Sequence, residues 1–486
     1  MRRTPPLLIL LLSLACLSGN ASAAALPLSA IAEYRLPAVA VAAGIEAGKS
    51  DPLRFAATVP VDLDADDGSW DEPAPGIARW RLRLHSEDAL SLSLRLESLQ
   101  LPPGASLRYA GTASEDIQGP FGGEVGGILW LPLVRGDRAV LEATMPAAER
   151  AQFALHITEA FHGYRGFLPG DGIGAKGQFG NSGNCNVNAA CEESRWGTQA
   201  RSVVLLTVNN SALCSGTLVN NQRQDGRPLI LTANHCGIRG SNVTNVRAYF
   251  NVQKTSCSAT ANGPINQNIA ARRFLGRDEN SDFTLIELAN APPASFNVFY
   301  AGWDARSGLT PQSGASIHHP AGDDKKISLF SSAARSVENQ PIGSVGNSFR
   351  VDAWEVRWSS GTTQQGSSGA ALWNQDGRAV GVLSGGGASC TAPNEPDYFG
   401  RLDRAWTAGS DCGQQLKAQL DPDNTGLLTL AGRNSGPEAG TQPAGVACGS
   451  VDGGPTVGVS GGGGLPLLTP LLLGLALLLR RSAQRR

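Results

Sequence analysis

Residues 78–96 alternate apolar and polar side chains almost without interruption. Trp80, Leu82 and Leu84, then Leu90, Leu92, Leu94 and Leu96, fall at every second position. A period of two puts such residues on one face of an extended chain, so half-buried strands are expected here. Pro102-Pro103-Gly104 and Gly119-Pro120 punctuate further short strands at 128–133 and 139–143. Beyond residue 185 the texture persists as short apolar runs at 202–208, 229–233, 283–288, 354–358 and 379–384, separated by Gly, Asn and Ser turns. The 59 glycines and the low charged fraction of 17% suit a loop-rich β protein better than a helical one. The expected fold class is all-β: a β-sandwich-like unit over 25–165, then a two-barrel or sandwich arrangement in the second half. One helix is expected at 412–420, with Leu416 and Leu420 four apart and Asp421-Pro422 ending it.

The ends of the chain read as targeting segments. Arg2 and Arg3, an apolar stretch over 7–17 and the small residues Ala21-Ser22-Ala23 form a secretory signal over 1–24. Cys16 is lost with it. Export to an oxidising compartment changes the meaning of the eight other cysteines, Cys185, Cys191, Cys214, Cys236, Cys257, Cys390, Cys412 and Cys448, which suit disulfides. None forms a CxxC pair, so no metal site and no cofactor are expected. A Gly-rich stretch at 166–183 reads as an exposed, cleavable linker with Lys176-Gly177 at its centre. Residues 434–464 form a Gly/Pro-rich linker. They lead into an apolar segment with a basic end at 465–486, short for a full membrane span. A formal net charge of −2 offers no basic field for nucleic acid.

Chemistry enters at Gly366-Ser367-Ser368-Gly369-Ala370-Ala371. Small residues around a serine allow a tight turn and close approach of a substrate carbonyl to the hydroxyl and nearby N–H groups. None of the six histidines follows Ser368, and position 370 is Ala, which excludes the Ser…Asp…His order and the nucleophile elbow of α/β-hydrolases. A His…Asp…Ser order remains. His235 ends an apolar strand in Leu231-Thr232-Ala233-Asn234-His235-Cys236, where a disulfide from Cys236, with Cys214 as the natural partner, would hold a base rigidly. Asp282 heads the apolar run 283–288, where a carboxylate that orients a histidine can be buried; a strand-start cap is the plainer role.

Together these segments resemble the chymotrypsin-like serine proteases, with their TAxHC, DxxLxxL and GxSG signatures. More narrowly they resemble the bacterial lysyl endopeptidases. The shared stretches include Leu218-Val219-Asn220-Asn221, Ala301-Gly302-Trp303-Asp304 and Ile317-His318-His319-Pro320, within a similarity over 184–430. The first domain is also similar to theirs, at Trp80-Arg81-Leu82-Arg83 and His162-Gly163-Tyr164-Arg165-Gly166. The resemblance implies a chymotrypsin-like double β-barrel at 184–433, preceded by a propeptide domain. It implies Ser368 as nucleophile, His235 as base, Asp282 as its orienting acid, and N–H groups of Gly366 and Ser368 as the oxyanion hole. Ser367 is the neighbouring rival; the spacing from Gly366 and the following Gly369 favour Ser368. The family pattern also implies disulfides Cys185–Cys390, Cys191–Cys257 and Cys214–Cys236, and Cys412 and Cys448 are expected to pair in addition.

Position 362, where trypsin-like pockets often carry an acid, is Thr362. The family instead uses an Asp shortly after its last disulfide cysteine, and Asp397 matches; a bond to Arg401 is its plainer role, and Glu395 is a rival acid. Ser384, Gly385 and Gly386 would pair with the substrate backbone. Two departures stand out: Ser384 occupies the place of a histidine near the triad, and Val345 or a neighbour that of a pocket-flanking Trp. The resemblance thus implies a secreted or cell-surface monomeric zymogen that cuts protein or peptide substrates after Lys. Its partners would be its own propeptide, released at Lys176-Gly177, and a rhomboid-type sorting protease acting on the tail. A broader Lys/Arg preference and an inactive surface-binding homologue are the competing readings.

Overall fold

The computed structural model describes residues 26–39, 52–111, 117–122, 127–165, 182–344, 347–409 and 411–435. The expected signal, most of the 166–183 linker with Lys176-Gly177, Val345, Cys448 and the C-terminal segments lie outside the described residues.

Two facing sheets make up the N-terminal part. One runs Glu33–Arg35, Ile77–His85, Arg138–Pro146, Ser106–Gly111, Ile117–Gly122; the other runs Val134–Arg135, Ser91–Gln100, Ala154–Gly163, Ala56–Asp64. The alternation in 78–96 is divided between them. Trp80, Leu82 and Leu84 point inward from the first sheet, and Leu92, Leu94 and Leu96 from the second. Tyr109, Leu141 and Ile157 complete that core, as a sandwich requires. Burial raises the Tyr109 hydroxyl pKa far above its usual range.

The C-terminal half begins with a closed barrel. Its strands follow the order Val203–Val208, Val246–Tyr249, Asn268–Asp278, Phe283–Leu288, Leu229–Ala233, Ala212–Val219, and the last pairs back to the first. A second sheet runs Lys326–Phe330, Gly314–His318, Ala371–Asn374, Ala379–Gly386, Asp397–Arg401, Asn347–Val356, Arg335–Ser344. A shared core of Leu231, Phe283, Leu285, Trp303, Ile317 and Trp373 joins barrel and sheet. His235 follows one barrel strand, Asp282 precedes another, and Ser368 precedes the strand Ala371–Asn374 of the second sheet.

The expected helix at 412–420 is divided. A short 3-10 turn, Cys412–Gln414, is separated from the helix Leu416–Leu420 by an extended Gln415 (ψ 146°). Tertiary packing overrides the apolar spacing there. The Gln414 carbonyl lies so close to Gly276 that a Cβ on that glycine would stand 1.9 Å away. Gln415 also donates its side-chain amide to the Thr407 and Gly409 carbonyls. Among the described residues, no helix is long and apolar enough to cross a membrane.

Candidate active site

Antiparallel pairing of Ala233 with Phe283 brings the ends of two apolar strands together. His235 follows one in the tight turn Asn234–Cys236, and Asp282 precedes the other. The carboxylate serves both the backbone and the ring of the histidine. His235 N–H donates to Asp282 Oδ1 at 2.9 Å, and Nδ1 lies 2.8 Å from Oδ2. Asn234 N–H donates to the Asp282 carbonyl at 2.9 Å. Asp282 is fully buried and holds φ 51°, a left-handed conformation that Asp tolerates better than bulkier residues. A carboxylate acceptor requires Nδ1 to carry the proton, so Nε2 is the basic nitrogen of the neutral ring. That Nε2 is buried and has no hydrogen-bond partner among the described residues.

The ring is also held from its face. Phe349 stacks on His235 with centroids 5.5 Å apart and planes inclined by 22°. The sequence reading notes only that Val345 or a neighbour stands in place of a pocket-flanking Trp, and does not single out Phe349. Its only signal was a lone aromatic residue in the mixed polar and apolar stretch before Trp354.

The serine loop is fastened to the barrel by Ser215. Ser215 N–H donates to the Ser368 carbonyl at 2.8 Å. Its Oγ donates to the Gly366 carbonyl at 2.9 Å and accepts from His319 N–H at 3.0 Å. Gly366 and Gly369 take φ 89° and 83°, and a Cβ at Gly369 would meet Thr232 Oγ1 at 2.2 Å. Thr232 lies three residues before His235, so the missing Cβ is what lets serine and histidine segments touch. Ser367 is committed elsewhere. Its Oγ accepts from Gln364 N–H at 3.1 Å and lies 2.7 Å from His318 Nδ1. His318 Nε2 faces Ser328 Oγ at 3.1 Å, and that hydroxyl donates to the Thr362 carbonyl. The Ser328 oxygen therefore accepts from Nε2–H, which leaves Nδ1 to accept from Ser367. Ser367 is thus a brace of the loop.

Next to these histidines, burial and the nearby Lys325 pull the His319 pKa down to about 3. The ring donates from Nδ1 to the Asp323 carbonyl at 2.9 Å. Burial likewise lowers the Lys325 ammonium to about 7, and its Nζ donates to the Ala200 carbonyl at 2.6 Å.

Asp397 stands opposite Gly386 in the sheet and is fully buried. Its Oδ2 accepts from Trp358 Nε1 and from Thr363 Oγ1, each at 2.7 Å. A Cβ at Gly386 would lie 2.3 Å from Oδ1, so glycine keeps open the approach to this carboxylate. Arg401 bonds Asp403 through two nitrogens, at 2.9 and 2.6 Å, and lies over the Trp354 ring. Glu395 is exposed. Thr362, next to Thr363, is buried. Gly385 shares the strand Ala379–Gly386 with Ser384. Ser384 is fully buried with an Oγ that lacks a partner among the described residues.

Disulfides join Cys185 to Cys390, Cys191 to Cys257 and Cys214 to Cys236. Cys412 is disulfide-bonded as well, and its expected partner Cys448 lies outside the described residues. The first of these ties the start of the catalytic segment to the loop before Asp397. Gln364 adds to that tie, because its Oε1 accepts from Gly183 N–H and from Asn186 Nδ2, both at 2.8 Å. Ser182 Oγ donates to Asp323 at 2.6 Å. Among the described residues, no group of three or more His, Cys, Asp or Glu could hold a metal ion.

Two families match the chain in succession. Residues 54–163 match the one described as "Lysyl endopeptidase N-terminal domain", and residues 179–400 the one described as "Lysyl endopeptidase, C-terminal domain". A lysyl endopeptidase of Pseudomonas aeruginosa is 30% identical over 376 residues, which cover 70% of this chain and 76% of that protein. Among solved structures, the active form of the protease Rv3671c of M. tuberculosis is 15% identical, with a TM-score of 0.32, covering 48% of this chain and 90% of that one. A Glu endopeptidase in complex with MPD is likewise 15% identical, with a TM-score of 0.30, covering 46% and 93%. With both of its domains matched in order and a relative aligned across most of its length, this chain belongs to the lysyl endopeptidase family of serine proteases.

Proposed function

We propose that the protein is a secreted serine endopeptidase, made as a zymogen, that hydrolyses peptide bonds after Lys. The observation that carries the chemistry is the doubly bonded His235–Asp282 pair, whose Nε2 has no hydrogen-bond partner among the described residues. Ser368 Oγ attacks the peptide carbonyl as His235 Nε2 accepts its proton. The resulting oxyanion is met by N–H groups of Gly366 and Ser368. His235 then protonates the leaving amine, and water repeats the sequence on the acyl-enzyme. Asp282 holds the ring and stabilises the imidazolium without taking the proton. The substrate backbone on the acyl side pairs with Ser384, Gly385 and Gly386.

Asp397 supports the preference for Lys. It is a fully buried carboxylate, which favours a cationic side chain, and an ammonium acts as a point charge where a guanidinium seeks a bidentate carboxylate geometry. On this reading the prodomain leaves after cleavage at Lys176-Gly177, and the C-terminal segment directs surface attachment or release. Hydrolysis of paired Lys and Arg peptide amides by the wild type and Asp397→Ala tests the specificity. The Lys substrate should lose at least about 100-fold in kcat/KM, in line with an unpaired buried cation. Equal rates on both substrates, untouched by the substitution, would sink the assignment.

A further inference from the structure

The strand Ala212–Val219 is covered along one edge by Val203–Val208, with pairs from Val203↔Thr217 to Val208↔Ala212. On the other edge, Leu229–Ala233 reaches only Thr217, Leu218 and Val219. The first residues of the strand would therefore present an open edge, and it is this edge that the N-terminal domain takes. Leu53 pairs with Leu213 and Arg54 with Ala212, antiparallel. Phe55 N–H donates to the Ser211 carbonyl at 2.9 Å. Bonded pairs alternate along an antiparallel ladder, so Leu53 and Leu213 form the next bonded pair.

This edge leads directly to the chemistry. Leu213 is followed by Cys214, bonded to Cys236 beside His235, and then by Ser215, which bonds the Ser368 carbonyl. On the opposite side, Gly369 N–H donates to the Leu383 carbonyl and Leu383 N–H to that of Ala370. The serine loop thus lies between two strands. The Ala379–Gly386 strand is free of Ala371–Asn374 beyond Val382, and Ala212–Val219 is free of Leu229–Ala233 before Thr217. An extended peptide reacting at Ser368 and bonded on its acyl side to Ser384–Gly386 would continue toward the strand that carries Ser215, Cys214 and Leu213.

We propose that Leu53–Arg54 inhibits the zymogen by occupying the strand edge on which the leaving side of a substrate docks. This rests on the endopeptidase reading above and specifies how the precursor is held inactive. Polarity supports it. Going backward from Leu53 approaches Cys214 and the serine loop, and going forward leads away. A leaving peptide, whose new amine starts at Ser368, runs in the same sense. The grip is reinforced around the edge. Leu53 and Phe55 share one buried apolar cluster with Leu205, Leu213 and Tyr249. Arg247 Nη2 donates to the Trp130 carbonyl at 3.2 Å and Asn210 Nδ2 to that of Leu131, also at 3.2 Å. Edge addition of this kind draws affinity from main-chain bonds, so it blocks peptides of any sequence.

Amide hydrogen exchange at Leu213 tests this. The full chain carrying Ser368→Ala is compared before and after removal of the N-terminal domain. The probes are the peptide Ala-Ala-Lys-Ala-Leu-Ala and the shorter Ala-Ala-Lys, each saturating by fluorescence anisotropy. The Leu213 amide should be protected in the precursor. It should exchange at least about tenfold faster after removal, and be protected again by the longer peptide alone. Free exchange in the precursor, or no renewed protection under saturating long peptide, overturns the proposal. Failure of the endopeptidase reading is distinguishable, because it appears as absent turnover in the processed wild-type chain whatever the exchange shows.

Discussion

The N-terminal sandwich and the catalytic domain are both built from antiparallel strands around apolar cores, yet they are secured differently. The sandwich segment from residue 25 to 165 has no cysteine and depends on the packing of Trp80, Tyr109 and their neighbours. The catalytic domain adds cross-links, one of which joins residues 205 positions apart. Long closed loops lose the most chain entropy in the unfolded state. The disulfides Cys185–Cys390, Cys191–Cys257 and Cys214–Cys236 all lie within residues 185–390, so none of them joins the two halves.

Asp282→Asn gives the largest expected effect. It should lower kcat on a Lys peptide amide by about 10⁴-fold, because the ring loses its tautomer control. Both halves should melt as before; a small loss of rate would separate the catalytic half from the chemistry assigned to it. Replacing Cys185 and Cys390 together by Ser should destabilise the catalytic half by about 2–5 kcal/mol. Denaturant unfolding followed by exchange in each half should find the sandwich unmoved. Equal loss in both would dissolve the contrast.

Acid should weaken both halves. The buried His319 pKa, near 3, is depressed below its unfolded value, so stability is full above about pH 6.5 and falls steadily as pH drops toward 3. In the sandwich, burial lowers His162 as well, with its Nδ1 2.8 Å from Ser86 Oγ, and the same sign applies. His319→Gln should flatten the catalytic half's dependence while leaving that of the sandwich; an unchanged slope in thermal melts would remove His319 as the cause. Phe349→Ala is the smallest effect. Loss of the stacked ring should reduce kcat/KM by up to about tenfold, equivalent to 0.5–1.5 kcal/mol, with Lys preference intact. A change in preference instead would make Phe349 part of the side-chain pocket.

Much of this was legible because strands carry their own signature. Leu229–Ala233 and Phe283–Leu288 form where short apolar runs and the turn residues between them put them. His235 and Asp282 could be singled out because each sits at the end of such a run. Phe349 was not legible: its ring meets His235 only because Asn347–Val356 pairs with the strand bearing Asp397. The break at Gln415 was hidden for the same reason, since its cause is the backbone contact between Gln414 and Gly276. The pairing of Leu53 with Leu213 leaves no local pattern, because two residues are too few to show a period.

The bonds from Gly183 and Asn186 to Gln364 bear on how such an enzyme switches on. They fasten the serine loop to chain that lies after residue 181, and Cys185–Cys390 fastens the same chain to the loop before Asp397. A cut anywhere upstream leaves each of these ties in place. No new terminus has to find a socket. On the zymogen reading proposed above, activation is an unveiling of finished machinery, and its time course should follow the departure of the sandwich, with no lag for the catalytic loop to take shape.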